Sequence, residues 1–249
     1  MKVTSIKTEK IIPGKTDIFT ILDKHVKSLS EKSILAVTSK IVSICEGRVI
    51  STDEIDRDTV IQQEAEYYLP REMSKYNSTL TIKRNLLVPA AGVDESNGDG
   101  YFILWPKDPQ KTANEIRSYL KKRFSLQQVG VIITDSKTTP LRWGTTGVSL
   151  SHSGFAALKN YIGEPDIFGK NLKMTKANIT DALAISAVVM MGEGNEQTPL
   201  AVIEDVPFVE FQKRNPSKKE LQDFSISIED DLYSTLLTSV KWKKGKAKV

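Results

Sequence analysis

At 249 residues, with 39% apolar and 27% charged side chains, the chain is long enough to bury a full core and too apolar to be disordered over most of its length. Its net charge of +4 is small for that size and comes from Lys241, Lys243, Lys244, Lys246 and Lys248, so residues 1–240 are close to neutral. That distribution describes one unit over 1–240 and a basic tail over 241–249 expected to be solvated and mobile, and it offers no broad positive face for nucleic acid.

Met1–Lys10 alternates charged and apolar residues without an apolar h-region, so no signal peptide is expected. No stretch approaches the roughly 20 apolar residues that span a bilayer. Cys45, the only cysteine, excludes an intrachain disulfide and an all-cysteine metal site. A cytoplasmic protein without membrane contact is the expectation.

Asp17–Leu29 carries Ile18, Ile21, Leu22, Val26 and Leu29 at helical spacing, with Thr16 or Asp17 as cap. Ile34–Val37 and Ile41–Ile44 read as strand, Asp53–Met73 as helix broken near Pro70, and Leu80–Val88 as strand. Residues 89–100, rich in Gly, Ala and Asp, form a loop, and Asp108-Pro109 opens a helix ending near Phe124. Val129–Thr134 is a buried strand ending on Asp135. Thr175–Met191 reads as a buried helix, Leu200–Ile203 and Val206–Phe211 as strands, and Ile228–Val240 as a closing amphipathic helix. Strands and helices interleave without a regular βαβ beat, and no repeat or Gly/Ser linker divides them. An α+β fold with mixed sheets in one unit is expected.

Three carboxylates stand at the edges of apolar elements among small residues: Asp94 in Gly92–Asn97, Asp135 in Thr134–Ser136 and Glu193 in Gly192–Gly194. Converging, they would suit hard cations such as magnesium or manganese, which take carboxylate oxygens together with nucleotide phosphates. Each could instead cap a helix or close a turn, and spacing alone does not bring them together.

Other motifs carry less. Gly14-Lys15-Thr16 matches the end of a P-loop, but the glycine required five positions earlier is Glu9, so Thr16 reads as a helix cap. His25 falls on the first amphipathic helix, and His152, between two serines, reads as a hydrogen-bonded loop histidine, so a serine triad is not expected. Cys45 beside Glu46 has no cationic activator and reads as a small strand residue. Trp105 and Trp143 are expected to pack, or to wall a pocket.

In chain order, Val37–Ser43 with Glu46-Gly47-Arg48, Ala91–Asn97, Pro106–Pro109 and Gly130–Asp135 resemble the motifs of the coenzyme F420 γ-glutamyl ligases. So do Arg142, Gly144, Gly147, Asp166, Gly169, Asp181 and Met191–Gly194, and the match runs from about Ile34 to Pro199. The resemblance implies that Asp94 and Asp135 ligate one divalent cation, and Ser136 and Glu193 a second. It implies that Asn97 contacts the nucleotide, GTP or ATP. Ser39, Lys40 and the loop of Met191, Gly192, Gly194 and Asn195 would line the nucleotide site, with Ile11–Gly14 a weaker match. The substrates implied are L-glutamate and a small-molecule carboxylate acceptor, and the assembly a homodimer.

The family pattern departs at Ile44, where lysine is usual, at Thr138-Thr139 in place of Gly-Arg, at Ser136 in place of threonine, and at Glu204-Asp205 in place of Arg-Gly. The departures leave the metal centre intact and suggest altered substrate recognition. A folate acceptor is therefore an alternative to the deazaflavin coenzyme, and a catalytically silent nucleotide-binding relative is a third reading.

Overall fold

In Ser33–Thr38, residues 34 and 36 point to one side and 35 and 37 to the other, and Ile34, Leu35, Ala36 and Val37 are all completely buried. Such a strand belongs in the middle of a sheet covered on both faces. A computed structural model describes residues 1–247 and shows this arrangement; Lys248 of the basic tail lies outside the described residues.

The elements in chain order are β1 (Lys2–Ile6), α1 (Ile18–His25), β2 (Ser33–Thr38), α2 (Ser39–Cys45), β3 (Val49–Ser51), α3 (Arg57–Glu64) and β4 (Tyr67–Leu69). They continue with β5 (Leu80–Lys83), β6 (Leu86–Pro89), β7 (Tyr101–Ile103), α4 (Pro109–Phe124), β8 (Val129–Thr138), β9 (Thr145–Ser153) and β10 (Leu158–Asn160). Last come β11 (Lys176–Asn178), α5 (Ile179–Met191), β12 (Leu200–Glu204), α6 (Lys218–Phe224), α7 (Ser234–Thr238) and β13 (Lys243–Lys244).

The main sheet has the order β1-β12-β2-β8-β9, with β2 and β8 parallel and the other neighbours antiparallel, so the fold is α+β as expected. Leu35, Val37, Val131 and Ile133 face α1, α2 and α4. Ile34, Ala36, Ile132, Ala201 and Ile203 face α5. A third cluster joins Val60, Ile61 and Ala65 around α3 to Ala90, Ala91, Val93, Phe102 and Leu104, beside the sheet β13-β4-β5-β6 and the pair β3-β7.

Helix α4 starts where its capping chemistry places it: Asp108 accepts a hydrogen bond from the Lys111 amide at 3.0 Å and Pro109 is the first helical residue. Asp17, rather than Thr16, caps α1 through the amides of Phe19 and Thr20. Several other expectations are corrected. Ile41–Ile44 is helical within α2, because Ile41 and Val42 gain more from the core under the sheet than β-branched residues lose in a helix. Helix α3 covers only Arg57–Glu64, and the chain turns extended at Ala65 into β4. Leu80–Val88 is a hairpin turned at Arg84-Asn85, both with positive φ, as a two-residue hairpin turn demands.

Helix α5 begins at Ile179 behind the Asn178 cap, and its outer face is open, with Val189 74% exposed, so it is not buried all round. Val206–Phe211 forms no strand beyond one bridge from Phe211 to Phe155. Of Ile228–Val240 only Ser234–Thr238 is helical, with no buried residue. Residues 243–246, expected as mobile tail, are pinned: β13 pairs with β4, and the Gly245 and Lys246 amides donate to Glu66 at 2.8 Å and Gln62 at 2.9 Å. No helix among the described residues is long and apolar enough to cross a membrane.

Candidate functional site

Strand β8 does not stop at Asp135. After a register shift between Ile133 and Thr134 it runs on to Thr138, paired with β9, so Asp135 lies within the strand where its burial begins to relax. A bulge of this kind re-aims side chains. The Ser136 amide donates to Asp135 Oδ1 at 2.9 Å, and the indole Nε1 of Trp105 donates to Oδ2.

Asp94 comes from the turn that follows β6. Its main chain bridges to Ile103 in both directions, at 3.0 and 2.7 Å. Its carboxylate accepts from the Ser96 amide at 2.8 Å and the Ser96 hydroxyl at 3.0 Å, and the Lys40 ammonium of α2 lies 2.6 Å from Oδ2. Lys40 also donates to the Ser96 carbonyl at 2.9 Å.

Burial opposes ionisation of Asp94, but Lys40 and the two Ser96 donors outweigh it and hold the carboxyl below its usual range. Asp135 goes the other way, pushed up to about 6 by burial and further by the charge of Asp94, against the pull of the Ser136 and Trp105 donors and of Lys40. The two acids therefore feel one another, and with Lys40 as the cation between them the cluster carries unneutralised negative charge.

Glu193 joins from the exposed loop after α5, where its Oε1 accepts from the Ser136 hydroxyl at 2.7 Å. Asn97 ties the two loops together through its side-chain amide to the Gly194 carbonyl at 3.1 Å. Gly194 in turn donates to Glu196 at 2.8 Å, and Thr198 donates to the Met191 carbonyl. Thus Lys40, Asp94, Asn97, Asp135, Ser136, Glu193 and Gly194 meet at one end of β8. Ser39 is buried at the start of α2, Met191 is buried at the end of α5, Gly192 is the αC-cap at φ 81, and Asn195 is exposed in the same loop.

The donors are hard oxygens, which fit magnesium or manganese. Ser136 and Glu193 are hydrogen-bonded to each other, and Asp135 lies close enough to Asp94 to feel its charge. Among the described residues no group of three or more His, Cys, Asp or Glu side chains is arranged to hold a metal ion. Any cation there would draw its remaining ligands from phosphate and water, as magnesium commonly does.

Sequence reasoning missed the supports of this site. Arg48 binds both oxygens of Glu64, at 2.9 and 2.8 Å, and Glu64 also binds the buried Lys83 at 2.8 Å. The Lys83 ammonium lies 5.0 Å from the centre of the Trp105 ring. No periodicity announces such a cluster, although the Asp94-x-Ser96 pattern, a known turn former, was readable.

Of the remaining candidates, the two histidines, Cys45 and Trp143 fall outside the site, while Trp105 touches it through Asp135. His152 is in β9 rather than a loop and is 2% exposed, its ring against Phe155 and Phe224. His25 ends α1 and faces Glu9 at 2.6 Å. Cys45 ends α2 rather than lying in a strand, and burial, then Asp17 and Glu46, push its thiol up to about 12, which leaves it unreactive. Trp105 is buried, as expected of a packing residue, whereas Trp143 is 90% exposed with only an edge contact to Tyr76. Glu46 accepts from the Lys107 amide and the Thr112 hydroxyl, both at 2.9 Å, so its motif anchors α4.

Residues 5–205 match the model of the F420-0:Gamma-glutamyl ligase family. The chain is 35% identical over 214 residues to a coenzyme F420:L-glutamate ligase of Methanococcus maripaludis strain C7, covering 79% of this chain and 85% of the relative. It is 34% identical over 211 residues to the ligase of that name from Methanopyrus kandleri, covering 78% and 82%. It is 30% identical over 220 residues to that of Methanosarcina barkeri, covering 82% and 86%. A family match over most of the chain, and an acid cluster assembled from that same span, make the chain a C–N bond-forming acid–amino-acid ligase that belongs to the F420-0:Gamma-glutamyl ligase family.

Proposed function

We propose that this chain adds L-glutamate through a γ-glutamyl amide bond to the coenzyme F420-0 type of acceptor named for its relatives, using GTP or ATP and two divalent cations, magnesium or manganese. The observation that carries the reading is the meeting of Asp94, Asp135, Ser136 and Glu193 at one end of β8, with Lys40 and the Asn97–Gly194 link beside them.

A cation bound there would neutralise charge developing on a transferred phosphoryl group. The chain's own part is positioning. Asp135 and Asp94 have both oxygens oriented by fixed donors, so they present preset lone pairs rather than reorganising. Lys40, half-buried and held by Asp94 and Ser96, would pair with a phosphate oxygen of the nucleotide. The γ-phosphoryl group would move to the acceptor carboxylate with loss of the nucleoside diphosphate. The glutamate amine would then attack the acyl carbon, releasing phosphate. Such transfer needs position and charge stabilisation more than a nucleophilic side chain, which suits a site without histidine or cysteine.

The departures from the family pattern weigh less than their sequence suggests. Ile44 is buried in α2, and Glu204, paired with Lys2 at 3.6 Å, lies at the end of β12 remote from β8's acid end. Ser136 stands in the site itself but keeps a hydroxyl, which donates to Glu193. Of the departures that remove a cation, only Thr138-Thr139, exposed where β8 gives way to the turn before β9, stands on the site's side, and it keeps a folate acceptor as the second reading. Homodimer formation rests on the family resemblance, and a cytoplasmic location on the single cysteine and the composition of the chain.

The test is to incubate the pure chain with manganese or magnesium, L-glutamate, GTP or ATP, and either F420-0 or a reduced folate, and to weigh the product. A gain of one glutamyl unit, abolished by chelation and restored by metal, supports the ligase and selects its acceptor. No gain on either acceptor, with nucleotide still bound, points to the silent relative.

A further inference from the structure

We propose that Trp105 is a positioning residue for Asp135: its indole N–H, fixed from behind by the buried Lys83–Glu64–Arg48 cluster, sets the carboxylate in the orientation that receives the divalent cation. The proposal rests on the metal-dependent reading above.

A buried indole needs an acceptor, and many tryptophans find a backbone carbonyl. Here the acceptor is a carboxylate on β8 of the main sheet, while Trp105 lies in the segment between β7 and α4, and the packing around the ring fixes that choice. The isolated Asp94–Ile103 bridge brings the turn at Gly92 alongside the Trp105 ring. Gly92, at φ 70, has no side chain, and a Cβ there would fall within 2.7 Å of the indole Cδ1 and closer still to Nε1. The indole edge therefore lies directly on the Gly92 backbone. Lys83 stands over the ring at 5.0 Å from its centre, itself donating to Glu64 at 2.8 Å and to the Ala91 carbonyl at 3.2 Å. Arg48 holds Glu64 and also donates to the Trp105 carbonyl at 3.2 Å.

The same turn, residues 90–94, thus seats the indole that holds Asp135 and carries Asp94 itself. One local structure sets both carboxylates. Without the indole donor Asp135 keeps only the Ser136 amide, on Oδ1, and Oδ2 is free to rotate away. Partners of metal-ligating groups of this kind typically change metal affinity by roughly 10–100-fold when removed.

The experiment titrates the full-length protein with Mn2+ alone, following free Mn2+ by electron paramagnetic resonance, for the wild type, Trp105→Phe, Lys83→Met and Asp135→Asn. Trp105→Phe is expected to weaken Mn2+ binding by about 10–100-fold and Lys83→Met by a smaller factor in the same direction. A merely structural role would lower the folded fraction and leave the affinity of the folded molecules unchanged. Should Lys83→Met fail to fold, Glu64→Gln keeps the ammonium while loosening its hold and is read in the same way. Independently of metal, the indole proton resonance of Trp105 in 15N-labelled protein should move in Asp135→Asn while those of Trp143 and Trp242 stay. An unmoved Trp105 resonance overturns the hydrogen bond and the proposal with it. Wild-type Mn2+ affinity in Trp105→Phe, with Asp135→Asn weakened, overturns the positioning role and leaves the metal reading standing. Undiminished affinity in Asp135→Asn overturns the metal reading itself, and the positioning role that depends on it.

Discussion

Replacing Gly92 by alanine puts a methyl group into the space held by the Trp105 indole, at a backbone φ of 70 that L-residues avoid. The left-handed conformation costs about 1–2 kcal/mol. The clash adds about 1–3 kcal/mol, because the indole is held by Asp135 on one edge and Lys83 on one face and has nowhere to retreat. The sum, about 2–5 kcal/mol, corresponds to a fall in Tm of roughly 4–20 °C for a chain of this size. Gly144→Ala is the control: φ is 95 but nothing lies within 4 Å of the added carbon, so only the conformational cost applies, about 1–2 kcal/mol. Urea denaturation of both variants separates the two contributions. In a Trp105→Phe background the Gly92→Ala penalty should shrink, since the five-membered ring that meets the methyl is gone. If Gly92→Ala is no more destabilising than Gly144→Ala, the packing described around Trp105 is wrong.

Asp94→Ala and Glu193→Ala should each lose about three orders of magnitude in turnover, about 4 kcal/mol, with far-UV circular dichroism unchanged; full activity in either would remove that acid from the site. Glu64→Ala strands the buried Lys83 ammonium beside Arg48 and should destabilise by about 3–5 kcal/mol, and the double variant with Lys83→Met should recover part of that in urea denaturation. Burial pushes His152 down to about 4, with Glu220 opposing, so folded and unfolded chains are both neutral at this residue above about 6.5. Between about 6.5 and 4 only the unfolded chain takes up the proton, and stability falls as pH drops, by at most about 3 kcal/mol, with no further slope from this residue below about 4. Stability measured from pH 7 to 5 should therefore fall less steeply in His152→Gln than in the wild type, and parallel slopes would contradict the account.

Much of the site was legible because its chemistry is local in the chain. Asp94, Asp135 and Glu193 each announce themselves as acids at the edge of an apolar run, and their ordered motifs carry the family. Elements with strong local signals also came out where expected: the Asp108-Pro109 start of α4, the β-branched strand β2 and the buried first part of β8, whose continuation to Thr138 depends on pairing with β9. Reading failed where a neighbour distant in sequence decides. Ile41–Ile44 is as good a strand as a helix until the sheet above offers it a core, and Val206–Phe211 is as apolar as a strand but finds no partner beyond one bridge.

The sequence by itself determined the α+β class and the family and singled out Asp94, Asp135 and Glu193 as candidate acids, since composition, caps and ordered motifs are properties of short stretches. Only the tertiary structure decided that Ser136 hydrogen-bonds Glu193, that Lys40 pairs with Asp94, and that Trp105, just beyond β7, reaches Asp135 on β8. It also moved Glu204 away from the site and raised Asp135 while lowering Asp94. The physical reason is the same in each case: Coulomb and hydrogen-bond energies depend on distances of a few ångströms between residues tens of positions apart, and those distances exist only once the bulged end of β8 and the turn at 90–94 have packed against each other.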